Sequence, residues 1–309
     1  MHIVILSRKP TLYLNKKLEN LAKSDGIKLT IIDPLDCKLL LDGDRSQILV
    51  HGKPLPKVDF VIPRMGTTIL SYGLSVLRHF ELMKIPVLNS SLAINSMLKR
   101  YEYLQLLAVH PNINTTKSIL IRKSEQIKDA IPQVKGPPAM LKMMSDGSKL
   151  GAMLIDKLST AESFIDVNSI MGGAGQIGQS IIIEEFIKEA NGKSINVIVL
   201  NNKVIGCYFK IKAFNLKQSA TLLVRETQGF IKPSNEIETM AILATQQLNL
   251  DFAKVSFLES IDGPKIFEVS FNPQIDIFEK EPSFQIPAKI LAHSISCIKE
   301  RAMTGMLNE

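Results

Sequence analysis

Three places in the 309-residue chain put ionisable side chains inside apolar strands, where chemistry rather than packing would explain them. Lys142 lies in the run Ala139–Met144, flanked by Met140, Leu141 and Met143. An ammonium in that setting turns to a solvated outer face or to a charged ligand, and the pattern fits both. Glu184, Glu185, Phe186 and Ile187 close the apolar run that starts at Ile181 and lead into Lys188-Glu-Ala-Asn-Gly192. A strand ending on acid, aromatic and aliphatic residues can offer backbone groups to a purine edge and an apolar shelf to its ring. A solvated turn is the plainer reading. Glu268 lies in Ile266-Phe-Glu-Val-Ser270, and a carboxylate there is costly unless paired or bound to a cation. Alternation puts Glu268 and Ser270 on one face, with Asn272-Pro273 following. Metal-assisted phosphoryl chemistry wants two or three converging oxygen ligands, and this segment supplies one strong one.

Other chemistries find little support. Met171-Gly-Gly-Ala-Gly-Gln-Ile-Gly178 is glycine-rich, but a helix pattern precedes it and a strand follows. A phosphate-cradling loop needs the reverse order, so this patch reads as a surface loop. Met144-Ser-Asp-Gly-Ser-Lys-Leu-Gly151 joins two strands just after Lys142, which suits a flap over phosphates or a plain hairpin. The five histidines (His2, His51, His79, His110, His293) have no Gly-x-Ser-x-Gly or other nucleophile motif beside them. Cys37, Cys207 and Cys297 are too few and too scattered for a disulfide framework or a zinc knuckle, and read as small apolar fillers in a reducing cytoplasm. The net charge of +7 and sequence pI near 9.2 favour acidic partners such as nucleotides or acidic peptides. There is no tryptophan and no interleaving of Lys/Arg with aromatics, hence no direct nucleic-acid motif. No apolar run approaches the ~18 residues of a membrane span. The opening apolar stretch is cut by Arg8 and Lys9, so it reads as a buried strand of a cytoplasmic protein.

The elements that must position these groups fall into two grammars. Over the first ninety residues, strands at Ile3–Leu6, Leu29–Ile32, Phe60–Pro63 and Pro86–Leu88 alternate with helices, one marked by Leu12, Leu14, Leu18, Leu21 and Ala22 and stopped at Gly26, the other over Ile69–Met83. Gln47–Val50 followed by His51-Gly52-Lys53 predicts a small hairpin. This order predicts an open α/β sheet with its cleft at the strand C-termini. After a helix through Leu98, Leu104 and Leu107, hairpins dominate. Strands are expected at Ala139–Met144, Ala152–Ile155, Ile181–Phe186, Ile195–Leu200, Val204–Ile211, Ala220–Val224, Val255–Leu258 and Lys265–Val269, with Asn201-Asn202 as a turn. Helices are expected at Thr160–Ile170, Asn235–Leu248 and Phe284–Arg301. The fold class is therefore α/β followed by α+β.

The longer segments share a pattern. Ile5-Leu-Ser-Arg8 with Thr11-Leu-Tyr13, Ile32-Asp-Pro-Leu35, Val61-Ile-Pro-Arg-Met-Gly-Thr67 with Tyr72-Gly73 and Leu77-Arg-His-Phe-Glu81, Gln105-Leu-Leu-Ala108, Glu185-Phe-Ile-Lys-Glu189, and Gly263-Pro264 through Glu268-Val269 run in one register. Over nearly its whole length the chain resembles the RimK family of ATP-grasp ligases. The resemblance implies a pre-ATP-grasp open α/β domain over 1–97. An ATP-grasp fold of two α+β subdomains over 98–309 would follow, with a lid at about 113–187 and ATP between the subdomains. It implies activation of a carboxylate as an acyl phosphate and attack by an amine: a glutamate ligase acting on an acidic or protein C-terminal acceptor such as a ribosomal protein tail. It also implies Mg²⁺, no membrane partner and a homo-oligomer, commonly a tetramer.

Position by position, Lys142 falls on a phosphate-contacting lysine, Glu184 through Ile187 and Ser194 on the adenine hinge, and Glu268 on a magnesium-binding glutamate. Ser256 and Ser270 stand where the family has its other two magnesium ligands, Asp and Asn. Arg100 replaces a lysine before the central helix. Ser194-Ile195-Asn196 stands for an Asp-x-Arg, and Ser145-Asp-Gly-Ser-Lys149 for a Glu-Gly-Thr-Gln-Gly flap. The triphosphate segment carrying Arg and Asn is not recognisable near Phe214-Asn-Leu-Lys217, and 172–178 reads as an insertion. A site with one carboxylate in place of two carboxylates and an amide should hold Mg²⁺ poorly. Lys149 and Lys217 are candidates to supply charge, and Glu259, Asp276 and Glu279 to supply ligands. Two functions follow: a RimK-type carboxylate–amine ligase, and a degenerate paralogue serving as a nucleotide- or protein-binding module.

Overall fold

Every residue of His2–Leu6 is buried, because this strand (β1) lies between two parallel neighbours and two helical layers. The computed structural model describes residues 1–145, 148–161, 180–214 and 223–306. Lys28–Ile32 (β2) and Phe60–Pro63 (β6) flank β1 in the order β2-β1-β6. Ile3 and Ile5 face Leu14, Leu18 and Ala22 of α1 (Tyr13–Ser24). Val4 and Leu6 face Leu70, Leu74, Leu77 and Phe80 of α2 (Leu70–Leu82). Period two along the strand and period near four along each helix therefore build the predicted α/β layer. Cys37–Leu40 (β3), Gln47–Val50 (β4) and Lys53–Pro54 (β5) form a small antiparallel sheet containing the predicted hairpin.

The expected fourth strand at Pro86–Leu88 is not one. Only Val87 bridges to Val61, through Val61 N–H to Pro86 O and Leu88 N–H to Val61 O. Pro86 has no N–H to extend the ladder, and Asn89 turns the chain away at φ 64°.

Two antiparallel sheets follow. Ser118–Ile121 (β7), Ala139–Ser145 (β8), Ser148–Ile155 (β9) and Ser180–Glu185 (β10) make the first, in the order β7-β10-β8-β9. Lys193–Leu200 (β11), Lys203–Phe214 (β12), Leu223–Phe230 (β13), Phe252–Ser260 (β14) and Gly263–Ser270 (β15) make the second, in the order β13-β12-β11-β14-β15. Asn201 and Asn202 both take left-handed φ, 46° and 57°, as a two-residue hairpin between β11 and β12 requires. The expected strand at Ala220–Val224 is β13, which is described from Leu223 and runs on to Phe230. The expected helix at Thr160–Ile170 and the glycine patch at 172–178 lie outside the described residues, the helix from Glu162 onward.

The shorter helices are α3 (Ser91–Ser96), α4 (Arg100–Ala108) and α5 (Ile127–Gln133). One face of the five-stranded sheet carries Val197, Val199, Val255 and Phe257 against Ile237, Met240, Ala241 and Ala244 of α6 (Asn235–Gln247). Ser234 caps α6, accepting from Ile237 N–H. On the opposite face, Ile198, Leu200 and Phe252 share a core with Ile286, Ile290 and Leu291 of α7 (Ile286–Met306) and with Ile3, Leu14 and Phe60. No helix among the described residues is long and apolar enough to cross a membrane.

That shared core fixes the N-terminal layer to the C-terminal sheet, and Asn89 locks the joint. Its Nδ2 donates to Phe252 O at 2.7 Å and its Oδ1 accepts from Phe252 N–H at 2.9 Å. Arg64 Nη2 donates to Pro273 O, and Asn272 Nδ2 donates to Met65 O. Asn89→Ala strands two buried backbone groups, and we expect a loss of about 2–4 kcal/mol, read as a lower urea midpoint with unchanged slope. An unchanged midpoint would show that the joint does not depend on Asn89.

Candidate functional site

Glu184, the last residue but one of β10, is almost fully buried, at 2% exposure. Its backbone pairs with Met140 of β8 while Lys142 pairs with Ile182, so alternation puts the two side chains on one face. Lys142 Nζ reaches Glu184 Oε2 at 2.5 Å. Arg100, the first residue of α4, donates from Nε to Glu184 Oε1 at 2.8 Å. Arg100 also donates from Nη1 to the Tyr103 hydroxyl at 2.7 Å, and from Nη2 to the Phe267 carbonyl of β15. Lys142 Nζ lies 5.9 Å from the Phe267 ring centroid. One carboxylate with two cations thus joins α4, the four-stranded sheet and the edge of the five-stranded sheet, leaving one positive charge in excess. Lys142 does not turn to a solvated face; its ammonium meets a carboxylate of the protein, Glu184, which the sequence reading did not name.

Burial works to raise the Glu184 carboxyl, but Lys142 and Arg100 outweigh it and hold the group below its ordinary value. Burial pulls Lys142 down to about 8; Glu184 opposes the shift and Arg100 adds to it.

Glu185 is equally engaged. Its Oε1 accepts from Lys117 N–H and from Lys265 Nζ, each at 2.8 Å. Its own N–H donates to Lys117 O at 2.9 Å. Both carboxylates are therefore taken up by protein cations. The strand ends at Glu185 rather than at Phe186, and Phe186 is half-buried while Ile187 is buried. The turn that follows needs Gly192: its φ is 73°, and a Cβ there would fall 2.2 Å from Lys212 O.

The face of the core sheet away from α6 carries the second group of residues. Ser256 pairs across the ladder with Glu268, and Lys254 with Ser270. Asn196 pairs with Ser256 on the other side. Ser256 Oγ is fully buried and donates to Asn196 Oδ1 at 2.8 Å, while Asn196 Nδ2 donates to Ser194 Oγ at 3.2 Å. Lys254 Nζ lies 3.6 Å from Glu268 Oε2. Burial, with Lys210 and Lys212 nearby, pulls Lys254 down to about 8. Lys210 pairs with Glu226 at 2.7 Å.

This donor set does not fit Mg²⁺, which wants near-octahedral oxygen at 2.0–2.1 Å. Ser256 and Ser270 offer only neutral hydroxyl oxygens, and the single carboxylate faces an ammonium. Among the described residues no group of three or more His, Cys, Asp or Glu could hold a metal. Of the candidate substitutes, Glu259 pairs with Lys193 at 3.2 Å and Asp276 is exposed. The side chains of Glu279 and Lys149, and all of Lys217, lie outside the described residues.

The structure brings Lys142, Arg100 and Glu184 together in one network, and Ser194, Ser256, Glu268 and Ser270 on one face. Lys254 was missed by sequence reasoning, although the signal was present: a lysine two residues before Ser256 in the apolar strand Phe252–Leu258. Lys265, the counter-charge of Glu185, was missed as well.

Comparison with known proteins agrees with this geometry. The RimK PreATP-grasp domain matches residues 1–94, and the RimK-like ATP-grasp domain matches residues 98–294. The chain is 32% identical over 291 residues to a probable alpha-L-glutamate ligase of Shewanella frigidimarina (strain NCIMB 400), with 94% of each covered. In fold it resembles the ATP-grasp ligase PsnB complexed with its minimal precursor, at a TM-score of 0.72 and 15% identity over 96% of this chain and 98% of that one. It also resembles the D-alanine–D-alanine ligase of Bacillus anthracis, at a TM-score of 0.66 and 14% identity over 97% and 99%. The chain belongs to the RimK-like ATP-grasp family.

Replacing Glu184 by Gln leaves two buried cations without a counter-charge, which should cost about 3–5 kcal/mol. The sign with pH follows from the depressed native pKa of Glu184. Its stabilisation is complete above the ordinary carboxylate value of about 4.3 and is lost as pH falls through the lower native value. Urea midpoints measured from pH 6 down to pH 3 should therefore fall more steeply in the parent than in Glu184→Gln. Parallel curves would contradict the assignment.

Proposed function

We propose that this chain is a nucleotide-binding member of the RimK-like family in which the ligase reaction is much weakened. In this reading residues 1–97 form the pre-ATP-grasp domain, and 98–309 the ATP-grasp domain with its lid at about 113–187. ATP lies between the two antiparallel sheets. The backbone from Glu184 to Ile187, with Ser194, borders the adenine. Lys142 and Arg100, carrying one net positive charge after Glu184 is counted, draw the phosphates. The observation that carries the reading is the donor set on β14 and β15. Ser256, which donates a hydrogen bond to Asn196 Oδ1, offers only a neutral oxygen, and Glu268 faces Lys254. Phosphoryl transfer depends on positioning and on cations that neutralise the transferred group. A site without the family's metal ligands keeps binding more easily than turnover.

A second reading is the full ligase, in which a carboxylate is activated as an acyl phosphate and joined to an amine. Two observations favour it: the 32% identity to a probable alpha-L-glutamate ligase and the fold shared with PsnB, whose solved complexes hold precursor peptide. Glutamate and an acidic peptide or protein C-terminal tail would be its substrates.

Two measurements separate the readings. ATP should bind the full chain in calorimetry, and Lys142→Met should weaken it by about tenfold, the loss of one charge-assisted contact. ADP release with glutamate and an acidic peptide acceptor should run at least about 100-fold below a relative with the complete ligand set. Release at the relative's rate would establish the second reading.

A further inference from the structure

The face formed by β11, β12, β14 and β15 carries a cation of its own where the family's metal ligands would converge. Lys254 stands on β14 beside Ser256 and directly across the ladder from Ser270. Its side chain is only 19% exposed, and Nζ lies 3.6 Å from Glu268 Oε2. Alternation along β12 puts Lys210 and Lys212 on the same side of the sheet, with Lys210 opposite Ser194. The polar chain Ser194, Asn196, Ser256 runs across the floor between these lysines and Glu268. Among the described residues, three ammonium groups on this face meet two carboxylates, Glu226 and Glu268.

Such a face is poor in oxygen donors and rich in N–H donors. A divalent ion placed there would have to displace Lys254 from Glu268 and compete with a charge of its own sign. A phosphate oxygen has the opposite relation to the face, since it accepts from Lys254 and is drawn by the surplus charge. Glu268 then holds the Lys254 stem in place instead of holding metal.

We propose that this face binds the phosphate groups of its nucleotide without a divalent metal, with the Lys254 ammonium, held by Glu268, in the place of the ion. The inference rests on the nucleotide-binding reading above and adds to it which charge neutralises the phosphates.

The test measures binding of ATP, ADP and inorganic triphosphate to the full chain by calorimetry, once in EDTA and once in excess Mg²⁺. The expected result is binding in EDTA at least as tight as in Mg²⁺, because Mg²⁺ wraps the phosphates that Lys254 would contact. Lys254→Met should weaken metal-free binding by about tenfold or more, the loss of a charge-assisted contact to phosphate. Lys254→Arg, which keeps the charge and guards against misfolding of the methionine variant, should retain most of it. Binding that requires Mg²⁺ would overturn the inference while leaving the nucleotide reading in place. Metal-free binding untouched by Lys254→Met would also overturn it. Triphosphate binding in EDTA that depends on Lys254, with no nucleotide bound, would show an anion site but overturn both the nucleotide reading and the inference that rests on it. If neither triphosphate nor nucleotide binds, both fall.

Discussion

A carboxylate withdrawn from water must find a counter-charge, and in this chain Glu184, Glu185 and the half-buried Glu268 each meet a basic side chain. Glu184 is answered by Arg100 and Lys142, which arrive from α4 and β8. Because Arg100 also holds Tyr103 and the Phe267 carbonyl, meeting that one charge ties the four-stranded sheet to the edge of the core sheet. The cost of leaving a buried ion unpaired is several kcal/mol, so these elements are held in register by electrostatics as much as by packing.

The same constraint governs Glu268. Its counter-charge is Lys254, with Ser256 across the ladder from Glu268 and Ser270 across from Lys254. A lysine supplies one positive charge at a fixed point and N–H donors; a divalent ion supplies twice the charge and accepts oxygen from several directions at once. The exchange favours holding a phosphate over transferring one. The proposed reading places this exchange on a scaffold that RimK-like domains match over residues 1–94 and 98–294.

Much of this architecture was legible in the sequence. Ile3–Leu6 and Phe60–Pro63 are short apolar runs because the sheet is covered on both faces, and Leu14, Leu18 and Ala22 mark the covering helix. Asn201-Asn202 announced its hairpin because few other residues accept two left-handed positions in succession. Pro86–Leu88 was misread because an apolar triplet says nothing about whether its N–H groups can complete a ladder. The ion network was not legible. Arg100 and Glu184 lie 84 residues apart, and only the three-dimensional fold makes them partners. Ser256 and Ser270 were visible as departures, but their meaning depended on Lys254, which the strand register places opposite Ser270.

The most direct measurement is a crystal structure of the chain grown with ADP and Mn²⁺, with anomalous differences recorded at the manganese edge. The account predicts Lys254 Nζ within hydrogen-bonding distance of a phosphate oxygen and no anomalous peak on the β14–β15 face. Manganese peaks bridging Glu268 and the phosphates, with Lys254 swung aside, would contradict it.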